Sequence, residues 1–153
     1  MQRYICADAS GAEYWLDVNT SGVWSSKEGI HIRYDAAANR VCFRDGSFLV
    51  MGATSAANEP DAGTKYPTTL QDTNGNQILV RYNPAFGSTI PNTSARINEI
   101  EDVRAVEACS PFGCGGYSTY RFNYDDSPFD PRPRTFRIWR VSPTASVPAK
   151  NTT

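Results

Sequence analysis

Alternation of apolar and polar positions runs through the chain, and it predicts strands. It is cleanest in Asp72 to Asn83, DTNGNQILVRYN, where Ile78, Val80 and Tyr82 fall on one face and Leu79 and Arg81 on the other. Asn74-Gly75, just before, can take the positive φ values of a tight two-residue hairpin turn. The same layout, three apolar or aromatic residues at alternate positions with a Tyr last and then Asp or Asn, occurs at Ile30 to Asp35 (IHIRYD) and at Tyr120 to Asp125 (YRFNYD). A degenerate internal repeat of this kind predicts stacked β-hairpins.

The remaining elements follow from the same pattern. Residues 12–18, AEYWLDV, read as a first strand, Thr20-Ser21-Gly22 as a turn, and Val23-Trp24 as a short apolar touch. Val41-Cys42-Phe43 is joined through the hairpin signal Asp45-Gly46 to a returning strand, Ser47 to Met51. Residues 52–65 carry turn formers and little that is apolar, so a surface loop is expected. Tyr66-Pro67 restarts extended structure, Thr68 to Gln71 lead into the central hairpin, and residues 84–94 form a second loop. ARINEIEDVRAVEA, residues 95–108, is balanced between helix and strand. Its composition favours a helix, but the spacing by threes of Ile97, Ile100, Val103 and Val106 drifts about 60° per step around one. Residues 110–118 are Gly-rich and loop-like, Phe136 to Val141 can form one more strand, and residues 142–153 read as disordered. The expected fold is all-β: antiparallel hairpins stacked in a continuous, curved sheet. Residues 1–125 form the hairpin-repeat domain, and 126–153 a Pro-rich, partly disordered tail.

Composition narrows the function classes. A chain of 153 residues fits one domain, and 12% aromatics with frequent Gly, Pro, Asn, Thr and Ser favour short strands. A net charge of −1, with Arg interspersed among Asp and Glu, argues against a nucleic-acid partner. No apolar run approaches the roughly 20 residues that span a bilayer, so membrane insertion is not expected. The N-terminal MQRYICADASG shows no apolar segment of a secretory signal.

Little in the sequence spells out chemistry. His31, the single histidine, sits between two Ile with no nucleophile motif beside it, and a structural or solvent-facing place is expected. Neither a P-loop, G-x-S-x-G nor H-E-x-x-H occurs. Asp72, Asn74 and Asn76 open like a calcium loop, but the glycine comes at the fourth position instead of the sixth and Asn83 stands where a Glu is needed, so a turn is expected. Glu99, Glu101 and Asp102 could host paired-carboxylate chemistry, the plainer reading being local repulsion on a solvated strand face. Cys109 and Cys114 bracket SPFG closely enough for a local disulfide; zinc would need a second ligand pair, and free thiols are the other alternative. No cofactor is called for. Tyr14, Trp15 and Trp24 are candidates for stacking on sugar rings in a carbohydrate-binding module, the plainer reading being that aromatics form the core.

The succession of motifs resembles the Rhs or YD-repeat proteins. It runs from Asn74-Gly75-Asn76 through Tyr82-Asn83, to Arg96-Ile97-Asn98-Glu99-Ile100-Glu101-Asp102, and then to Tyr120 to Asp125. The resemblance covers about residues 12–125, most closely 64–125, and tips 95–108 toward a strand. It implies a β-sheet that spirals into a hollow shell, in large members enclosing a toxin or displayed at the cell surface, and hence a secreted or cell-surface setting. Further YD-type repeats of a parent chain, or self-association through open sheet edges, are the partners it implies. Tyr34, Tyr82 and Tyr124 would pack between hairpins, and Asp35, Asn83 and Asp125 would accept backbone hydrogen bonds. Asn83 in place of Asp, repeats far longer than a compact YD unit, and the tail from Arg132 depart from the pattern. They suggest the irregular early part of such a protein, with an aberrant end such as a truncation or frame shift. Asp130-Pro131 resembles the family's self-cleavage motif only superficially, since Arg132 stands where Gly should follow, and that activity is not carried over.

Overall fold

The computed structural model describes residues 3–8, 10–110, 113–124 and 133–140, the backbone alone at 105–110, 113–118 and 133–140. These residues form strands and no helix. A first hairpin consists of β1 (Tyr4–Ala7) and β2 (Glu13–Leu16). The main sheet opens with β3 (Val18–Thr20), β4 (Val23–Ser25), β5 (Arg33–Asp35), β6 (Arg40–Cys42) and β7 (Phe48–Val50). A second small hairpin, β8 (Ala53–Thr54) and β9 (Lys65–Tyr66), leaves it, and β10 (Thr69–Gln71), β11 (Gln77–Tyr82), β12 (Ile97–Ser110), β13 (Gly113–Tyr124) and β14 (Pro133–Arg140) complete it. The ten strands of the main sheet are antiparallel and follow chain order, with β7 directly beside β10.

Register shows why one face is buried. Trp24, Tyr34, Val41, Leu49, Leu70 and Ile78 stand opposite one another on successive strands, a single apolar row across six of them. The two small hairpins cover this face. Leu16 and Tyr4 of the first pack on Trp24, Tyr34 and Val41, and Tyr4 meets the rings of Trp24 and Tyr34 at 5.2 and 4.6 Å. Ala53 and Tyr66 of the second pack on Val80 and Tyr82, with Ile97 and Ile100 beside them. Each fully buried aromatic or Leu removes enough apolar area from water to contribute about 1.5–3 kcal/mol.

Several expectations need correction. Residues 12–18 are two strands in different layers, because the chain turns at Asp17 from β2 into β3, and Tyr4–Ala7 is a strand the pattern did not signal. The first repeat strand begins at Arg33, so His31 is exposed and outside it. Residues 52–65 are not a plain surface loop: they contain β8 and begin β9, and Ala53, Ser55 and Glu59 are buried. The Gly-rich stretch 113–118 is strand, since pairing with β12 overrides its weak intrinsic preference. Residues 97–110 are strand, as the resemblance implied. Residues 136–140 of the strand predicted at 136–141 lie within β14, which pairs with β13, and Val141 is outside the described residues. Asp125, the Asp130-Pro131 pair and residues 142–153 lie outside the described residues.

The turns differ in type from the two-residue form expected at Asn74-Gly75 and Asp45-Gly46. In both, only the glycine has positive φ, 83° at Gly75 and 91° at Gly46, and the loops are three residues long: Asp72 N–H donates to Asn76 O and Phe43 N–H to Ser47 O, each at 3.0 Å. The two-residue form occurs instead at Ser21-Gly22, φ 53° and 88°, between paired Thr20 and Val23.

Candidate functional site

The repeat tyrosines share one sheet and its covered face. Tyr34 and Tyr82 are 5% and 4% exposed, and Tyr124 is half-buried. The Tyr34 hydroxyl donates to Asn39 Oδ1 at 2.7 Å and the Tyr82 hydroxyl to the Pro67 carbonyl at 2.9 Å. Burial pushes the Tyr82 phenol up to about 12. The three strands are not neighbours: β6, β7 and β10 stand between β5 and β11, and β12 between β11 and β13.

The carboxylates at the turns bind main chain. Asp35 accepts from Ala37 and Ala38 N–H, both at 3.0 Å, and Asp45 from Ser47 N–H at 3.0 Å and Oγ at 2.6 Å. Asp72 accepts from the N–H groups of Asn74 and Asn76, both at 2.8 Å, and from Asn76 Nδ2. Asp72 and the asparagines beside it thus close a turn. Asp102 accepts from Arg104 N–H at 3.0 Å. Asn83 engages through its main chain, its N–H donating to Arg96 O and its carbonyl accepting from Ser94 Oγ.

Three residues that the sequence did not single out hold the layers together. Asn39 and Asn92, with φ 52° and 59°, each clasp two elements. Asn39 Oδ1 accepts from Tyr34 and from Lys65 Nζ while Nδ2 donates to Met51 O. Asn92 Oδ1 accepts from Tyr82 N–H, and Asn92 O from Thr54 N–H. Glu59 is the third, gripped by Arg96. Non-Gly positive φ favours Asn, but nothing in the spacing marks which Asn adopts it. The hairpin β1–β2 did have a signal: Asp8-Ala9-Ser10-Gly11 spells the same kind of turn as Asp72-Thr73-Asn74-Gly75. Asp8 accepts from Ser10 Oγ and from Tyr14 Oη, which with the Ser10 N–H hold its carboxyl down to about 2.

Glu99 and Glu101 are not a repelling pair on a solvated face. Arg81 on the adjacent strand donates to both, at 2.5 and 2.6 Å, Arg121 on the other side donates to Glu99 at 2.7 Å, and Glu101 is buried. The carboxylates are thereby fixed as the rungs of an ion-pair ladder on the face opposite the apolar row.

No family model, curated protein or solved structure matches the chain. The reading of its surface therefore rests on geometry. The three candidate sugar-stacking aromatics do not form a platform: Trp24 is core at 7% exposed, Tyr14 is half-buried with its hydroxyl on Asp8, and Trp15 alone is open, at 44%, with the Arg3 guanidinium 4.0 Å from its ring. Trp24 is withdrawn from that set because it packs beneath Tyr4. Backbone register places Cys109 opposite Cys114; their side chains are outside the described residues, and Cys6 and Cys42 are free thiols. Between the two covering hairpins lies a cleft of about 570 Å³ floored by Tyr34, Leu49 and Met51.

Proposed function

We propose that the chain is a non-catalytic β-scaffold of the YD-repeat kind, part of a shell wall or cell-surface interaction surface that grows by addition of hairpins. The observation that carries this is the single sheet holding Tyr34, Tyr82 and Tyr124, Tyr34 within β5 and the other two at the ends of β11 and β13. The polar face supports the same reading, because its best-placed carboxylates, Glu99 and Glu101, are engaged with Arg81 and Arg121. In a sheet of this design each strand supplies backbone donors and acceptors to the next, and its ends are the points of assembly with further repeats or a second copy.

The test combines sedimentation with glycan arrays. Self-association that rises with concentration, with no glycan retained, is the expected outcome. Glycan retention abolished in a folded Trp15→Ala variant would replace the scaffold with the carbohydrate-binding reading. A strictly monomeric protein with neither property would remove the assembly role.

A further inference from the structure

We infer that the cleft between the two covering hairpins accepts an extended peptide as an added strand. This site stands on the covering layer and does not depend on the scaffold reading of the main sheet. Its walls are two strand edges. All four residues of β1 line it, with only Leu16 from β2, and residues 63–67 line the other side, with nothing from β8. Among the described residues β1 pairs only with β2, and β9 only with β8.

Hydrogen-bond alternation shows which way these edges point. Asp8 N–H donates to Ala12 O at 3.0 Å, so Asp8 faces β2, and one and three residues back Ala7 and Ile5 turn their main-chain groups away from it. On the other wall Ser55 N–H donates to Thr64 O at 2.9 Å, which turns the N–H and C=O of Lys65 away from β8. The opposite residue, Thr54, confirms this phase, since its N–H leaves the hairpin for Asn92 O at 3.1 Å. Main-chain donors and acceptors of Ile5, Ala7 and Lys65 therefore border the cleft from both sides.

The floor sets the side-chain preference. Leu49 and Met51 are half-buried and apolar, so a strand lying between the walls would place every second side chain against them. A strand occupies roughly 3.3 Å by 4.8 Å by 10 Å per residue, so a cleft of about 570 Å³ holds about three or four residues. That is the length of β1. The rim carries one charge of each sign, Asp8 on the β1 side and Lys65 on the β9 side, so it favours no net charge in the peptide. The occupant is thus an uncharged extended segment, apolar at alternate positions.

Amide hydrogen exchange on the intact chain tests this, with a capped five-residue peptide of alternating threonine and valine as probe. In the free protein the amides of Ile5, Ala7 and Lys65 exchange fast, while those of Cys6 and Tyr66 are protected. Saturating peptide slows the three by about tenfold or more, and the same peptide N-methylated on its strand-pairing amides does not. Ala7→Pro removes one cleft-facing donor and none of the β1–β2 bonds, so it weakens peptide binding about tenfold with an unchanged urea midpoint. Protection of the three amides without peptide at all protein concentrations would mean the edges are already paired, and would overturn the proposal. Protection that rises with protein concentration would assign the cleft to a second copy instead. Exchange unaffected by the peptide would also overturn it.

Discussion

Arg96 holds the buried carboxylate of Glu59 with both terminal nitrogens, at 2.9 and 3.2 Å, and so locks the excursion between β8 and β9 to the loop that follows β11. Glu59 also accepts from Phe86 N–H, and Arg96 donates to the Pro84 carbonyl, so neither partner has an equivalent substitute. Removing one leaves the other's charge largely buried with only a neutral partner, Phe86 N–H for Glu59 or the Pro84 carbonyl for Arg96. Glu59→Ala and Arg96→Ala should each cost about 3 kcal/mol in urea unfolding, with the double variant losing less than the sum.

Two glycines should separate conformational from packing effects. At Gly75 an added Cβ meets nothing within 4 Å, so Gly75→Ala should cost only about 1 kcal/mol, through the positive φ alone. Gly52 has ordinary φ, but a Cβ there runs into the Thr68 side chain on the neighbouring segment. Gly52→Ala should cost about 2 kcal/mol or more, and Gly52→Ala with Thr68→Ala, which removes the crowding hydroxyl together with the methyl behind it, should recover part of it.

Tyr82 is asked to be both core and hydrogen-bond donor. Tyr82→Phe should lose about 1 kcal/mol with the bond to Pro67 O, and Tyr82→Ala about 3–5 kcal/mol. Trp15→Ala, on the open side of its hairpin, should change stability by about 0.5 kcal/mol or less. Chemical denaturation of the three variants measures this directly.

Stability should fall at both ends of the pH range. Asp8 has a folded pKa of about 2, below its unfolded value, so its contribution is complete above about pH 4 and is lost as pH falls toward about 2; Asp45 and Asp72 shift in the same direction through Ser47 and Asn76. Tyr66 and Tyr82 are raised to about 12, both chiefly by burial and Tyr66 also by Asp61, so their contribution is complete below about pH 10 and is lost as pH rises toward about 12. Circular dichroism against pH, with tyrosinate absorbance followed in parallel, should show the alkaline loss of sheet coinciding with phenol ionisation. Tyr82→Phe should move that limit upward.

What the sequence revealed was the part governed by local alternation. Ile78, Val80 and Tyr82 declare their face because a strand side chain repeats every two residues, and Asp45-Gly46 and Asp72 to Gly75 declare their turns. The covering layer was hidden for a physical reason. Ala53 and Ser55 are buried where backbone comes close to the sheet, a place that selects small residues and leaves no apolar signature. Asp17 looks like one polar position in a strand, and nothing local shows that the chain changes layer there. Glu59 and Arg96 find each other only after the sheet has aligned, and so do Glu99 and Glu101, whose partner Arg81 stands on the neighbouring strand and leaves no mark in the local sequence.

The junction between β7 and β10 bears on how the chain reaches its native state. Every other pairing in the main sheet joins consecutive strands, whereas Val50 meets Thr69 only after the chain has looped out through the second covering hairpin. Closing that loop costs entropy before any contact rewards it, while the hairpins on either side form from near neighbours. The two halves should therefore nucleate separately, with Val50–Thr69 registry setting the rate, so that crowding Gly52 slows refolding while truncating Trp15 leaves it unchanged.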